Sequence, residues 1–189
     1  EELEASFKYA VMGTVSSTLI LLGIALIYSQ TSALNMAVIG RTINTSDSLS
    51  ILALIFLFAG FGLKAAVVPF HAWLPDAHSS APAPISAILS GILIKTIGIY
   101  LIVRIGFNIF GVSQVFLNVL LIVGALSAII GVLLAIGQMD IKRLLAYHSI
   151  SQTGYILLGI GLGTPLGIMG GLFHLLNHAT FKSLLFLNS

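Results

Sequence analysis

Six apolar runs, each near the length that crosses a bilayer, dominate the sequence and constrain its fold most. They cover residues 7–28, 49–68, 85–104, 115–137, 144–162 and 166–187. A membrane-spanning helix needs about 20 predominantly apolar residues. The pattern therefore predicts an all-α, polytopic transmembrane helix bundle. We expect the second run to continue, as a broken helix, to about residue 78.

Composition excludes most soluble classes of protein. Of 189 residues, 58% are hydrophobic and 7% are charged, whereas a soluble domain carries about 25% charged residues. A net charge of +2 is too small to indicate nucleic-acid binding. Since the chain has no cysteine, it offers no disulfide, thiol nucleophile or iron–sulfur ligand. We expect no cofactor and no catalytic redox centre in it.

The two ends of the sequence lack the usual signals of a complete protein. It opens on Glu1 without an initiating Met or a signal-peptide pattern, and it is still apolar at Leu184–Leu187. We expect residues 1–189 to form a single transmembrane domain that is an internal fragment of a longer protein.

Two lysines lie inside the apolar runs. A charge at the bilayer centre costs about 3 kcal/mol on insertion scales, so it normally faces protein or water and has a function. Lys95 lies near the middle of its run, whereas Lys64 is close enough to the end of its run that its side chain could instead reach the interface. A desolvated lysine can take up and release protons, so both residues are candidates for a proton relay.

A polar segment separates these lysines and contains His71, Asp76 and His78. Its prolines remove backbone donors, so the sequence predicts no regular helix over residues 70–84. The histidines titrate near neutral pH, and Asp76 is either a helix cap or loop ion pair, or a relay group. Aromatic residues favour membrane interfaces, which is the expected position of Trp73 and Tyr28.

The last two runs are unusually polar. His148 lies in the fifth run, among enough hydroxyl and amide groups to indicate a helix buried among other helices. In the sixth run His174, His178 and Lys182 share one helical face. Two histidines at this spacing can bind a metal ion, but no acidic or thiolate ligand accompanies them. A polar stripe lining a hydrated interior is the favoured interpretation.

The positive-inside tendency indicates an orientation. With six alternating spans, Lys8, the segment 71–78 and the turn containing Lys142 and Arg143 fall on one side, which we expect to be cytoplasmic. Arg41 and Arg104 fall on the other.

Three motifs together resemble one known family. They are KAAVVPFHAWLPDAH at residues 64–78, DIKRLLAYHSISQTGY at 140–155 and FHLLNHATFKSLLF at 173–186. The chain is similar to the antiporter-like membrane subunits shared by respiratory complex I, multisubunit sodium/proton antiporters and membrane-bound energy-converting hydrogenases. The form AHSSAP at 77–82 is closer to the hydrogenase and antiporter-complex subunits, which implies a prokaryotic cell membrane.

The resemblance implies a subunit of about fourteen helices containing two inverted five-helix repeats, each with one broken helix. Lys64 then matches the lysine of the broken seventh helix and Lys95 the basic residue of the eighth. His174, His178 and Lys182 match the polar stripe of the eleventh. The glutamate of the fifth helix and the charged residue of the twelfth would lie outside this sequence.

The resulting functional hypothesis is a proton-translocating subunit in which buried Lys and His relay protons along a hydrated midplane axis. The resemblance implies that the chain assembles with other membrane subunits of a multisubunit complex. It also implies that electron transfer, NADH:quinone oxidoreductase-like or hydrogenase-like, resides in partner subunits. One alternative makes sodium the coupled ion. A second makes the domain a structural scaffold whose lysines pair with buried acids or lipid headgroups.

Overall fold

The computed structural model describes residues 2–189, with the side chains of all of these except Lys95 and Thr96. Its helical elements in chain order are α1 (Glu2–Thr31), α2 (Met36–Thr42), α3 (Ser48–Ala65), α4 (Trp73–Ser80), α5 (Ala83–Ile88), a π segment (Leu89–Tyr100), α6 (Leu101–Asn108), α7 (Gln114–Ile136), α8 (Ile141–Gly161) and α9 (Pro165–Leu187). The described residues contain no strand. The predicted all-α class is confirmed.

Each predicted apolar run coincides with a long helical stretch. In the part of the chain that the structure describes, four stretches are long and apolar enough to cross a membrane: Glu2–Thr31, Ser48–Ala65, Ala83–Asn108 and Gln114–Ile136. The chain is therefore an integral, multi-pass membrane protein. Helices α8 and α9, with 21 and 23 residues, are long enough but more polar, so the count of six spans stays a prediction.

The helices form a few closely packed pairs. Helix α1 lies against α3, while α7 and α9 lie on α8, and the π segment contacts both α3 and α9. Gly98 permits the close approach of the π segment to α3, because a Cβ there would lie 2.6 Å from the Cα of Ala65. The absence of a side chain thus brings the π segment into backbone contact with the end of α3.

The predicted interruption after the second run is present, but part of it, residues 73–80, is helical. Helix α3 ends at Ala65, and Ala66 adopts a left-handed conformation with φ of 52°. Helix α4 then begins at Trp73, so the prediction of no regular helix over residues 70–84 is wrong for this part. Pro75 is tolerated because it lies in the first turn, where a backbone N–H has no helical acceptor.

The third long stretch is continuous but changes its winding. Residues 89–100 are π-helical, with α-helix on either side. Such windings are rare and frequently occur at functional sites. Lys95 belongs to this segment, and its side chain lies outside the described residues, so its place in the relay stays a prediction.

Candidate functional site

Lys182 of α9 is completely buried. Its Nζ lies 3.5 Å from Nδ1 of His148 on α8 and 5.9 Å from the ring centroid of Phe186. Within the described part of the chain, no Asp or Glu forms an ion pair with it. A buried cation that lacks a counter-ion is destabilising, which makes Lys182 a candidate functional residue.

The remaining basic residues of α9 continue along the same face. The His174 and His178 rings are nearly parallel, with centroids 6.1 Å apart, and His178 is completely buried. Nε2 of His174 lies 2.7 Å from Oε1 of Gln152 on α8. The structure therefore brings the predicted stripe against the polar face of α8. Among the described residues, no group of three potential metal ligands supports the metal alternative.

His78 joins α4 to this stripe. Its completely buried ring stacks on Phe186, with centroids 4.5 Å apart and planes inclined by 20°. The hydroxyl of Ser86 donates to the backbone oxygen of His78. The aromatic ring of Phe186 thus contacts both His78 and, through a cation–π geometry, the ammonium of Lys182.

Lys64 is partly buried at the end of α3, where it lines a cavity of about 210 Å³. Side chains of α1, α4 and the π segment complete the wall of this cavity, among them Ser16, Trp73 and Leu93. No hydrogen bond or ion pair joins the Lys64 ammonium to any residue whose side chain the structure describes. The pairing with a buried acid that the scaffold alternative requires is therefore not found within these residues.

Side chains from three other elements bind the backbone around the interruption. Ser16 Oγ donates to the oxygen of Gly60 at 2.8 Å, and Trp73 Nε1 donates to the oxygen of Leu63 at 3.0 Å. On the donor side, the N–H of Val68 binds Ser127 Oγ of α7 at 3.0 Å. Trp73 is only 6% exposed and its N–H is used inside the bundle, so its side chain does not face lipid, and its expected position at a membrane interface stays a prediction.

Asp76 lies at the charged end of the bundle. Its carboxylate accepts from Lys8 Nζ at 2.8 Å and from Arg143 at 3.1 Å. Lys142 Nζ donates to the oxygen of Ala81. These contacts confirm that Lys8, the 71–78 segment and the basic turn share one side. They favour the ion-pair interpretation of Asp76, and its relay role stays a prediction.

His71 is apart from the α9 stripe, in the connection between α3 and α4. Burial lowers the pKa of its imidazole, partly opposed by a contact with the backbone of Pro69. None of the described residues forms a hydrogen bond with its Nδ1. The structure therefore gives His71 no link to the other predicted relay groups within the described residues.

Sequence reasoning missed three residues that the structure brings into the site. Gln152 contacts His174, Phe186 contacts His78 and Lys182, and Ser127 binds the interrupted backbone. Gln152 carried a usable signal, as one of many polar residues in an otherwise apolar run. Phe186 and Ser127 carried none, because phenylalanine and serine are common in apolar helices.

These features define a class: a multi-pass helix bundle with an interrupted span and a buried basic stripe. The whole chain, residues 1–189, matches the family described as "NADH:quinone oxidoreductase/Mrp antiporter, TM". The chain belongs to this family, as the resemblance predicted.

Individual relatives agree with this assignment. Hydrogenase-4 component B of Escherichia coli is 37% identical, over 99% of this chain and 30% of the relative. A Na(+)/H(+) antiporter subunit of Alkalihalophilus pseudofirmus is 39% identical, over 98% of this chain and 38% of the relative. A chain in the structure of the Mrp complex from Dietzia sp. superposes with a TM-score of 0.90 at 37% identity, over 97% of this chain and 34% of that one. The chain spans about a third of the length of these proteins.

Proposed function

We propose that the chain is part of a proton-translocating subunit, in which buried lysines and histidines pass protons through the membrane. The relay groups are Lys64 at the end of α3, Lys95 in the π segment, and His174, His178 and Lys182 on α9. His148 and His78 flank this set. The subunit works beside other membrane subunits of a multisubunit complex, and partner subunits carry the driving reaction. This assignment is supported by relatives that include a hydrogenase component and an antiporter subunit.

The observation that carries the proposal is the environment of Lys182. Its completely buried ammonium has an imidazole at 3.5 Å instead of a carboxylate. Two groups that both accept protons, and that repel each other when both are charged, favour a single shared proton. A proton arriving on one group therefore promotes release from the other, which is the elementary step of a relay.

The test is Lys182→Met in the purified, intact complex, reconstituted into liposomes. A buried charge exchanged for an apolar residue of similar volume is often neutral or stabilising, so assembly and Tm should not fall. Proton flux should fall at least tenfold. Lys142→Met, at the charged end, is the matched control and should transport normally. A complex that loses stability but keeps its flux per assembled particle would instead support the scaffold function.

Sodium remains the second candidate ion, because a relative that covers almost the whole chain is named as a Na(+)/H(+) antiporter subunit. Proton flux measured with and without sodium at fixed pH separates a pure proton pathway from sodium coupling. A pure proton pathway predicts equal proton flux in both conditions. Sodium coupling predicts that proton flux requires sodium on the opposite side.

A further inference from the structure

The end of α3 presents backbone oxygens beside Lys64. A helix leaves its last carbonyls without intrahelical partners, and a lysine in the last turn can donate its ammonium to them. Leu63, Lys64, Ser16 and Trp73 all line the same cavity of about 210 Å³. Lys64 therefore lines the same small space as Leu63 and as Ser16 and Trp73, two side chains that donate to carbonyl oxygens of α3.

Two of these oxygens are already saturated. The oxygen of Leu63 accepts from the N–H of Ala66 at 3.2 Å and from Trp73 Nε1 at 3.0 Å. The oxygen of Gly60 lies on the α-helical ladder, which assigns it the N–H of Lys64, and it also accepts from Ser16 Oγ at 2.8 Å. A carbonyl oxygen has two lone pairs, so neither atom has one left for an ammonium.

The third oxygen of this turn is also occupied. The oxygen of Gly62 accepts from Val67 N at 3.1 Å and shares the N–H of Ala66 with the oxygen of Leu63. Backbone N–H groups of the interruption occupy the oxygen of Gly62, whereas the oxygens of Leu63 and Gly60 also accept from side chains of α4 and α1. These two donors are side-chain groups, so a substitution can remove each of them.

We propose that Trp73 and Ser16 are positioning residues that keep Lys64 exchangeable, by occupying the carbonyl oxygens of Leu63 and Gly60 that would otherwise hold its ammonium. The inference rests on the proposed function, because it gives Lys64 a proton to exchange. An ammonium held by its own helix end retains its proton more tightly and releases it more slowly. An ammonium without such an acceptor is free to transfer its proton to the cavity.

The experiment measures proton flux against proton concentration in the reconstituted complex. Trp73→Phe removes the N–H donor while retaining an aromatic ring, and Ser16→Ala removes the hydroxyl. Each variant should lower the half-saturating proton concentration and the maximal rate together, both by about three- to tenfold, which corresponds to one net hydrogen bond. Tyr28→Phe, on the exposed face of α1, is the control and should change neither quantity.

Damage to packing predicts a different result. A merely structural role lowers the maximal rate without lowering the half-saturating concentration, and that outcome in both variants would overturn the inference, as would no change in either. Ser16→Ala decides the matter where Trp73→Phe does not assemble. Lys64→Ala, measured in parallel, separates failure of the proposed function from failure of this inference. Wild-type flux in Lys64→Ala contradicts the proposed function. Loss of flux in Lys64→Ala, with an unchanged half-saturating proton concentration in Trp73→Phe and Ser16→Ala, contradicts only this inference.

Discussion

Nζ of Lys182 and Nδ1 of His148 lie 3.5 Å apart across the interface between α8 and α9. The two residues are 34 positions apart in the chain, and the contact joins their titrating atoms directly. In the apolar interior, this contact gives the ammonium a neutral acceptor. It also limits the pair to one positive charge.

This contact predicts strong coupling between the two positions. His148→Leu should destabilise the complex by about 1–3 kcal/mol, since it leaves a buried donor unsatisfied. In a Lys182→Met background, His148→Leu should lower the free energy of unfolding much less, because no ammonium remains to be left unsatisfied. Thermal unfolding of the four purified complexes gives the coupling energy. Additive effects would show that the contact contributes nothing to stability.

Ser127→Ala tests the hydrogen bond that the backbone N–H of Val68 donates to Ser127 Oγ at the interruption. The change leaves the buried N–H of Val68 without its acceptor, which should lower the free energy of unfolding by about 1–3 kcal/mol. Ser17→Ala is the matched control, because that hydroxyl is exposed and binds only its own helix. Equal stability of the two variants would contradict the role assigned to Ser127.

Gly98→Ala tests the close approach of the π segment to α3. The new Cβ would lie 2.6 Å from the Cα of Ala65, and relieving that overlap should cost about 1–3 kcal/mol. Gly13→Ala meets nothing within 4 Å and should be neutral. The amount of assembled complex and its Tm report the stability of the two glycine variants. A neutral Gly98→Ala would mean that the two elements are not in backbone contact.

Asp76→Asn tests whether Asp76 serves structure or relay. The carboxylate is 24% exposed and pairs with Lys8 and Arg143, which are 43% and 42% exposed. Pairs this accessible contribute little and are screened by salt, so we expect a small loss of Tm at low ionic strength that disappears at high ionic strength. Transport per assembled complex should be unchanged. A large selective loss of flux would assign Asp76 to the relay.

Much of the fold could be predicted from the sequence because a bilayer imposes few solutions. An apolar run of bilayer length must be a helix, since its backbone groups have no other partner in lipid. The six runs therefore coincide with helices in the structure. The helix over residues 73–80 was missed because three prolines suggested a continuous break, whereas Pro75 falls in a first turn, where proline is compatible with a helix.

The site was only partly predictable for a related reason. His174, His178 and Lys182 share a face through helical periodicity alone, so their alignment follows from their spacing. The partners across the interface depend instead on how α8, α4 and α9 pack. Thus the contacts of Lys182 with His148, and of His78 with Phe186, have no local signature. The π segment likewise has no residue pattern that predicts it.

The most direct test of the central claim is proton flux through the reconstituted, intact complex carrying Lys64→Ala. Assembly should be preserved, because Lys64 is only partly buried and lines a cavity. If buried lysines relay protons, flux per assembled complex should fall at least tenfold below that of the wild type. Undiminished flux in a well-assembled Lys64→Ala complex would contradict the account.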